Sequence, residues 1–375
     1  MKVIVLQEDL LRGLISVSRF VSPRAQLPVL SNILLSAQKG KLRLAATNLE
    51  MGISLQIGAK VDKEGGITVP ARMIVDLISN LKSGRVSLEE KQGQLLLSTS
   101  SSSARLSGVP ESEFPPVPDR IEKTSFSFSR EFLQTLNNQI VFAAADDETR
   151  PVLTGVLLLF GDKPKAVATD GFRLSYKEIP FKGDNGVKRK EKLPPGKLLI
   201  PGRTIEELGK VLGDDQDKID ISILEKEKQL LFSGGSVVLS GKLLEGDFPD
   251  FEKIMPVEAN FKVTVGKEEL ERAVKSAAVI AREAASIVRI KLDKNRLVVF
   301  AESQQYGDDE SFLDAKIEGG DLEIAYNYRY ILEFLGSIKG DEVFIETEGA
   351  TSPSVLHDTK DGSYKHLIMP VRVQT

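Results

Sequence analysis

Apolar residues follow two alternating periods along this chain, and the alternation runs through three times. Three segments place them at helical spacing: Glu8 to Val17 (Leu11, Leu14, Ile15), Arg130 to Val141 (Leu133, Leu136, Ile140) and Lys267 to Ile280 (Leu270, Ala273, Val274, Ala277). Steps of three and four predict amphipathic helices with one buried face. A second helix is predicted in each unit, at Pro70-Ala71-Arg72-Met73-Ile74-Val75-Asp76-Leu77, Pro201-Gly202-Arg203-Thr204-Ile205-Glu206-Glu207-Leu208 and Asn327-Tyr328-Arg329-Tyr330-Ile331-Leu332-Glu333-Phe334. Each has an arginine, then isoleucine two residues later, an acid at four and an apolar residue at five. Ile74, Leu77 and Leu81 are expected to form the buried stripe, with Pro70 and Pro201 in a first turn that tolerates proline. Each of these helices follows an extended run, and short alternating runs between turns such as Gln38-Lys39-Gly40 and Gly161-Asp162 read as strands.

The residues themselves repeat. Pro28-Val29-Leu30-Ser31-Asn32-Ile33-Leu34-Leu35 answers Pro151-Val152-Leu153-Thr154-Gly155-Val156-Leu157-Leu158, and Ala46-Thr47-Asn48 answers Ala168-Thr169-Asp170 at nearly the same offset. Acidic, proline-bearing connectors, Glu111 to Pro118 and Gly246 to Phe251, mark the breaks. The reading is three α+β units, 1–120, 121–255 and 256–375, each with two helices packed on antiparallel sheet.

Composition narrows the function. The 375 residues are 41% hydrophobic and 28% charged, the balance of a soluble globular protein. No apolar run reaches the ~18 residues of a membrane span, and Met1 to Leu11 lacks the pattern of a signal peptide, so a cytoplasmic protein is expected. With no cysteine, disulfides and thiol chemistry are excluded. A net charge of −4 argues against a simple basic DNA binder. The two histidines, His357 and His366, fall in the last unit, leaving no repeated His-centred site, and a surface position is expected for each. Asp146-Asp147-Glu148 and Asp308-Asp309-Glu310 lack EF-hand spacing and read as solvated loops. Ser98 to Ser103 lacks a nucleophile elbow, and no Walker A or dinucleotide fingerprint occurs. No catalytic residue, metal or cofactor is expected.

Taken in order, Leu27-Pro28-Val29-Leu30, Val69-Pro70-Ala71-Arg72, Ala168-Thr169-Asp170-Gly171-Phe172-Arg173-Leu174, Phe248-Pro249-Asp250-Phe251 and Met369-Pro370-Val371-Arg372 resemble the β subunit (sliding clamp) family of bacterial DNA polymerase III along the whole chain. The resemblance implies a non-catalytic processivity factor. It further implies a head-to-tail homodimer, domain 1 against domain 3, whose six domains would make a ring around duplex DNA with helices lining the hole. Holding DNA by topology would meet the objection from net charge.

The resemblance also implies site residues. Arg24 matches a DNA-contacting position, and the repeated Arg72, Arg203 and Arg329 suit an inner surface that touches phosphates without reading bases. A peptide cleft between domains 2 and 3 would take the DNA polymerase III α subunit, the clamp loader, other polymerases and repair proteins. Its matching residues are Leu153, Thr169, Gly171, Phe172, Arg173, Leu174, Pro249, Ile254, Asn327, Tyr330, Pro353, Met369, Pro370, Val371 and Arg372. Phe172 stands where the family often has histidine, and Ala285 where an aromatic can line the cleft. Val279 and Ile280 match the dimer interface. On the residues alone, a hydrolase with an unrecognised site and a three-repeat scaffold unrelated to DNA stay open.

Overall fold

The computed structural model describes residues 1–22, 27–161, 163–179, 196–213, 216–256, 258–294 and 296–372. Among them are six α-helices: α1 (Gln7–Ser18), α2 (Ala71–Ser79), α3 (Arg130–Thr135), α4 (Gly202–Val211), α5 (Lys267–Ala281) and α6 (Tyr328–Ser337). None is long and apolar enough to cross a membrane.

Two corrections concern the helix faces. In α1 the buried residues are Gln7, Leu10, Gly13, Leu14 and Val17, while Ile15 is exposed. Gly13 explains the rotation, since a Cβ there would lie 2.6 Å from Leu44 Cδ1, so the helix sits directly on the strand beneath. In α2 the stripe is Ala71, Ile74 and Ile78, and Leu81 lies beyond the helix end. Pro70 and Pro201 end the preceding strands and stand just ahead of α2 and α4, outside the first turn. The helix expected over Arg130 to Val141 is α only to Thr135 and continues as a π turn (Leu136–Ile140) and a 3-10 turn (Val141–Ala143). Asn137 and Asn138, whose amides compete for backbone hydrogen bonds, sit in the π turn.

Packing divides the chain into two units. The described part of the first comprises residues 1–22, 27–133, 203–213 and 216–243. It holds a five-stranded sheet ordered Lys60–Lys63, Lys2–Leu6, Arg85–Lys91, Gln94–Ser98, Ser103–Ser107. Its nine-stranded sheet joins two repeats where Met51–Gly58 pairs antiparallel with Val237–Lys242, Met51 opposite Gly241. Tight hairpins set the register: Lys39 (φ 47°) and Gly40 (φ 77°) make the turn between Gln38 and Lys41.

The second unit, over its described residues 134–161, 163–179, 196–202, 244–256, 258–294 and 296–372, holds one twelve-stranded sheet. It joins repeats in the same manner, Arg173–Glu178 pairing with Asp361–Ile368 and Leu174 standing opposite Leu367. Thus the middle repeat contributes strands to both sheets.

Several strands keep an open edge among the described residues, two of them in matching places of the repeat plan. Ser103–Ser107 pairs only with Gln94–Ser98. In Gly307–Glu318, residues 307–314 pair only with Arg296–Ser303, whereas 315–318 also pair with Phe261–Gly266.

Candidate functional site

The residues matched to a peptide cleft all lie in the second unit, around the joint between strands Arg173–Glu178 and Asp361–Ile368. Thr169 to Arg173 is a turn built by side chains. The Asp170 carboxylate accepts the backbone N–H groups of Phe172 (2.8 Å) and Arg173 (2.9 Å). Thr169 Oγ1 accepts from the Gly171 N–H at 3.0 Å and donates to the Arg173 carbonyl. Gly171 at φ 92° takes the left-handed conformation that this reversal requires. The turn leaves Phe172 61% exposed above Leu174, which is 2% exposed.

That floor is an apolar cluster. Leu174 packs with Leu157, Val167, Tyr176, Leu199, Phe251, Val355 and Leu367, and the half-buried Val152, Phe248, Met255 and Met369 lie against it. Met369 follows the last strand, and its N–H donates to the Phe172 carbonyl at 2.8 Å; the Val371 N–H donates to the Ala325 carbonyl at 2.8 Å. Leu153 is buried in a 3-10 turn, and Pro249 and Ile254 are exposed on either side of the buried Phe251. Asn327 caps α6, its side chain accepting from the Arg329 N–H. The Pro353 carbonyl accepts from Thr347 Oγ1 at 3.3 Å. Pro370 is half-buried and Arg372 exposed.

Arg173 turns inward. Its guanidinium donates to Asp170 Oδ2 (3.1 Å) and to Glu333, and lies 4.5 Å from the Tyr330 ring centre and 5.5 Å from that of Phe142. This arginine ties the turn to α6. Removing it strands two carboxylates and two ring faces, so Arg173→Ala is expected to cost about 2–4 kcal/mol. Urea unfolding measures this; a loss under about 0.5 kcal/mol, as for a solvated pair, would show that the cluster does not hold the turn. Asp170, Glu333 and Phe142 were not singled out from sequence, although Glu333 is the repeated acid and Thr-Asp-Gly is a recognisable side-chain-built turn.

Next to this cluster the histidine expectation fails. His366 is fully buried, its Nδ1 2.8 Å from Ser175 Oγ and its ring stacked 5.6 Å from Phe334. Burial, helped by Arg173, pushes its pKa down to about 3, so the ring is a neutral core group. His357 is half-buried beside Phe344. Asp308-Asp309-Glu310, expected as a loop, lies in strand Gly307–Glu318, with Asp309 accepting from Ser276 Oγ at 2.8 Å.

Arg72, Arg203 and Arg329 are each the second residue of their helices and are exposed, the Arg72 side chain to 93%. Arg24 lies outside the described residues. Val279 is 57% exposed on α5, Ile280 is half-buried, and Ala285 is exposed in the turn that follows.

The comparisons with known proteins cover the chain from end to end. Three family profiles match in order: the DNA polymerase III β subunit N-terminal domain over residues 1–118, its central domain over 127–250 and its C-terminal domain over 252–372. A β sliding clamp of Synechococcus elongatus is 30% identical over all of both chains, and one of Staphylococcus aureus is 30% identical over 94% of each. Among solved structures, the DNA polymerase sliding clamp of Bacillus subtilis superposes with a TM-score of 0.90 at 25% identity, and that of Pseudomonas aeruginosa with 0.87 at 26%, each covering both chains fully.

Proposed function

The chain belongs to the DNA polymerase III β subunit family, and we propose that two copies close head to tail around duplex DNA and tether the replicative polymerase to it. As a β subunit it supplies processivity, not chemistry. The domains are 1–120, 121–255 and 256–375, and the working compartment is the cytoplasm.

The observation that carries the ring is a mismatch of edges. Two joints within the chain are made alike, the strand after the Thr-Asn or Thr-Asp turn of one repeat pairing with the last strand of the next. By the same plan residues 307–314 lack a second neighbouring strand among the described residues, and so does Ser103–Ser107 near the end of the first repeat. Only a second copy supplies both, and a heterologous contact that closes after two subunits is an allowed symmetry. Phe312 in that strand and Val279 on α5, the helix packed against it, are exposed at 62% and 57%.

Arg72, Arg203 and Arg329 then face the phosphates, and the family resemblance adds Arg24 as a DNA contact. The groove over Leu174 and Met369, rimmed by Phe172, Pro249, Ile254 and Pro370, takes short apolar peptides of the polymerase α subunit, the clamp loader, other polymerases and repair proteins. Methionine and aliphatic side chains suit a groove with several occupants.

Loaded clamp should stay on closed circular DNA through a high-salt wash and run off the same DNA once linearised. Replacing Arg72, Arg203 and Arg329 by alanine should flatten the salt dependence of direct DNA binding, by about 0.9 in log–log slope for each phosphate no longer neutralised, without releasing linked rings. Equal loss from circular and linear DNA would refute encirclement.

A further inference from the structure

The acid four residues after the repeated arginine has a partner that differs among the repeats. Glu207 in α4 receives the guanidinium of Arg19, the residue that caps the C-terminus of α1, through Nε and through Nη2 at 3.0 Å. Burial pushes the Glu207 carboxyl up, but hydrogen bonds from Arg19 and Lys210 outweigh it and leave the group below its ordinary range. Glu333 in α6 receives Arg173. In both cases an arginine of one repeat reaches the acid on the second helix of the next. Asp76 in α2 is the third such acid. Its carboxylate is 64% exposed and pairs, among the described residues, only with Arg72 of its own helix at 3.8 Å.

The complementary cation can be found by laying α5 on α1. Leu10, Gly13, Leu14 and Val17 are buried in α1, and Leu270, Ala273, Val274 and Ala277 at the same spacing in α5. This register sets Val279 on the position of Arg19, so the reaching arginine is missing there. α5 has 15 residues against 12 in α1, and the residue that caps its longer end is Arg282. Arg282 is exposed; its side chain makes a long 3.4 Å bond to the Ala278 carbonyl and has no carboxylate partner among the described residues. It stands one turn beyond Val279 on the same face, about 4.5 Å along the axis, a gap that a long arginine stem spans.

We propose that Arg282 of one copy pairs with Asp76 of a second copy, making the joint between subunits an ionic counterpart of the Arg19–Glu207 joint within the chain. The proposal rests on the head-to-tail dimer. The exposed apolar Val279 packs beside the pair, which excludes water and sharpens its dependence on charge.

The test is a charge swap read by sedimentation equilibrium of the full chain. Asp76→Arg and Arg282→Asp should each raise the dimer dissociation constant about tenfold or more, and the double variant should return it to within about threefold of the wild type. Both sites are exposed, so the single variants should keep the circular dichroism spectrum of the folded wild type. If single variants dimerise like the wild type, or the swap fails to restore, the pair is wrong while the dimer stands. A wild-type chain that stays monomeric at every concentration overturns the dimer itself.

Discussion

Ending the chain at Ile368 should abolish stimulation of the polymerase while leaving the dimer intact. The last strand, Asp361–Ile368, remains paired on both sides with Arg173–Glu178 and Ser354–Asp358, so the sheet survives the cut. The cut removes Met369 from the Leu174 cluster, together with the Met369 bond that pins the tail to the exposed Phe172 turn and the Val371 bond that pins it to Ala325. A bound peptide deprived of about 100 Å² of apolar burial is held less tightly by about 2.5 kcal/mol, close to a hundredfold in affinity. Intact peptide sites of this kind bind at about micromolar strength once ordering costs are met, so the truncated clamp should drop out of the working range. Primer extension with and without the truncated chain, beside a sizing column, gives the answer. Undiminished processivity would move the partner site elsewhere.

Val279→Glu combined with Ile280→Glu should give a folded monomer that no longer stays on circular DNA. Val279 is 57% exposed in the single chain, so a charge there costs the monomer little, whereas the proposed interface would bury it without a partner. Ile280 is half-buried beside it, and for that reason Val279→Glu alone is the cleaner fold control. Light scattering should report one chain per particle at concentrations where the wild type is a dimer, with the circular dichroism spectrum unchanged. A dimer of unchanged mass would remove α5 from the interface.

Much of this molecule was legible from its residues. The three-fold plan, the six helix positions and the antiparallel strands follow from apolar period and from registered identities such as Pro28 to Leu35 against Pro151 to Leu158. These signals are local, and local spacing is what distinguishes helix from strand. The Thr-Asp-Gly turn is local as well, since the Asp170 carboxylate satisfies backbone donors two and three residues on. The resemblance named Leu174, Phe172, Pro249, Ile254 and Met369 as one site, and the structure brings Leu174 and Met369 into one apolar cluster.

The tertiary structure decided what depends on a neighbour far along the chain. Ile15 faces solvent and Gly13 faces the sheet because Leu44 and Leu55, on two neighbouring strands, lie beneath α1, and no helical wheel contains those strands. His366 is a neutral core group because Phe334, Phe142 and Ser175, each distant in sequence, enclose it. Arg173 reads in sequence as the start of a strand, yet its charge is taken up by Asp170 and Glu333. Composition and period report how much apolar surface a segment must bury and on which side. Which residue meets which charge is set only when separated strands pair, as Leu174 with Leu367 and Met51 with Gly241, because an ion pair or a close approach needs both partners in place at once.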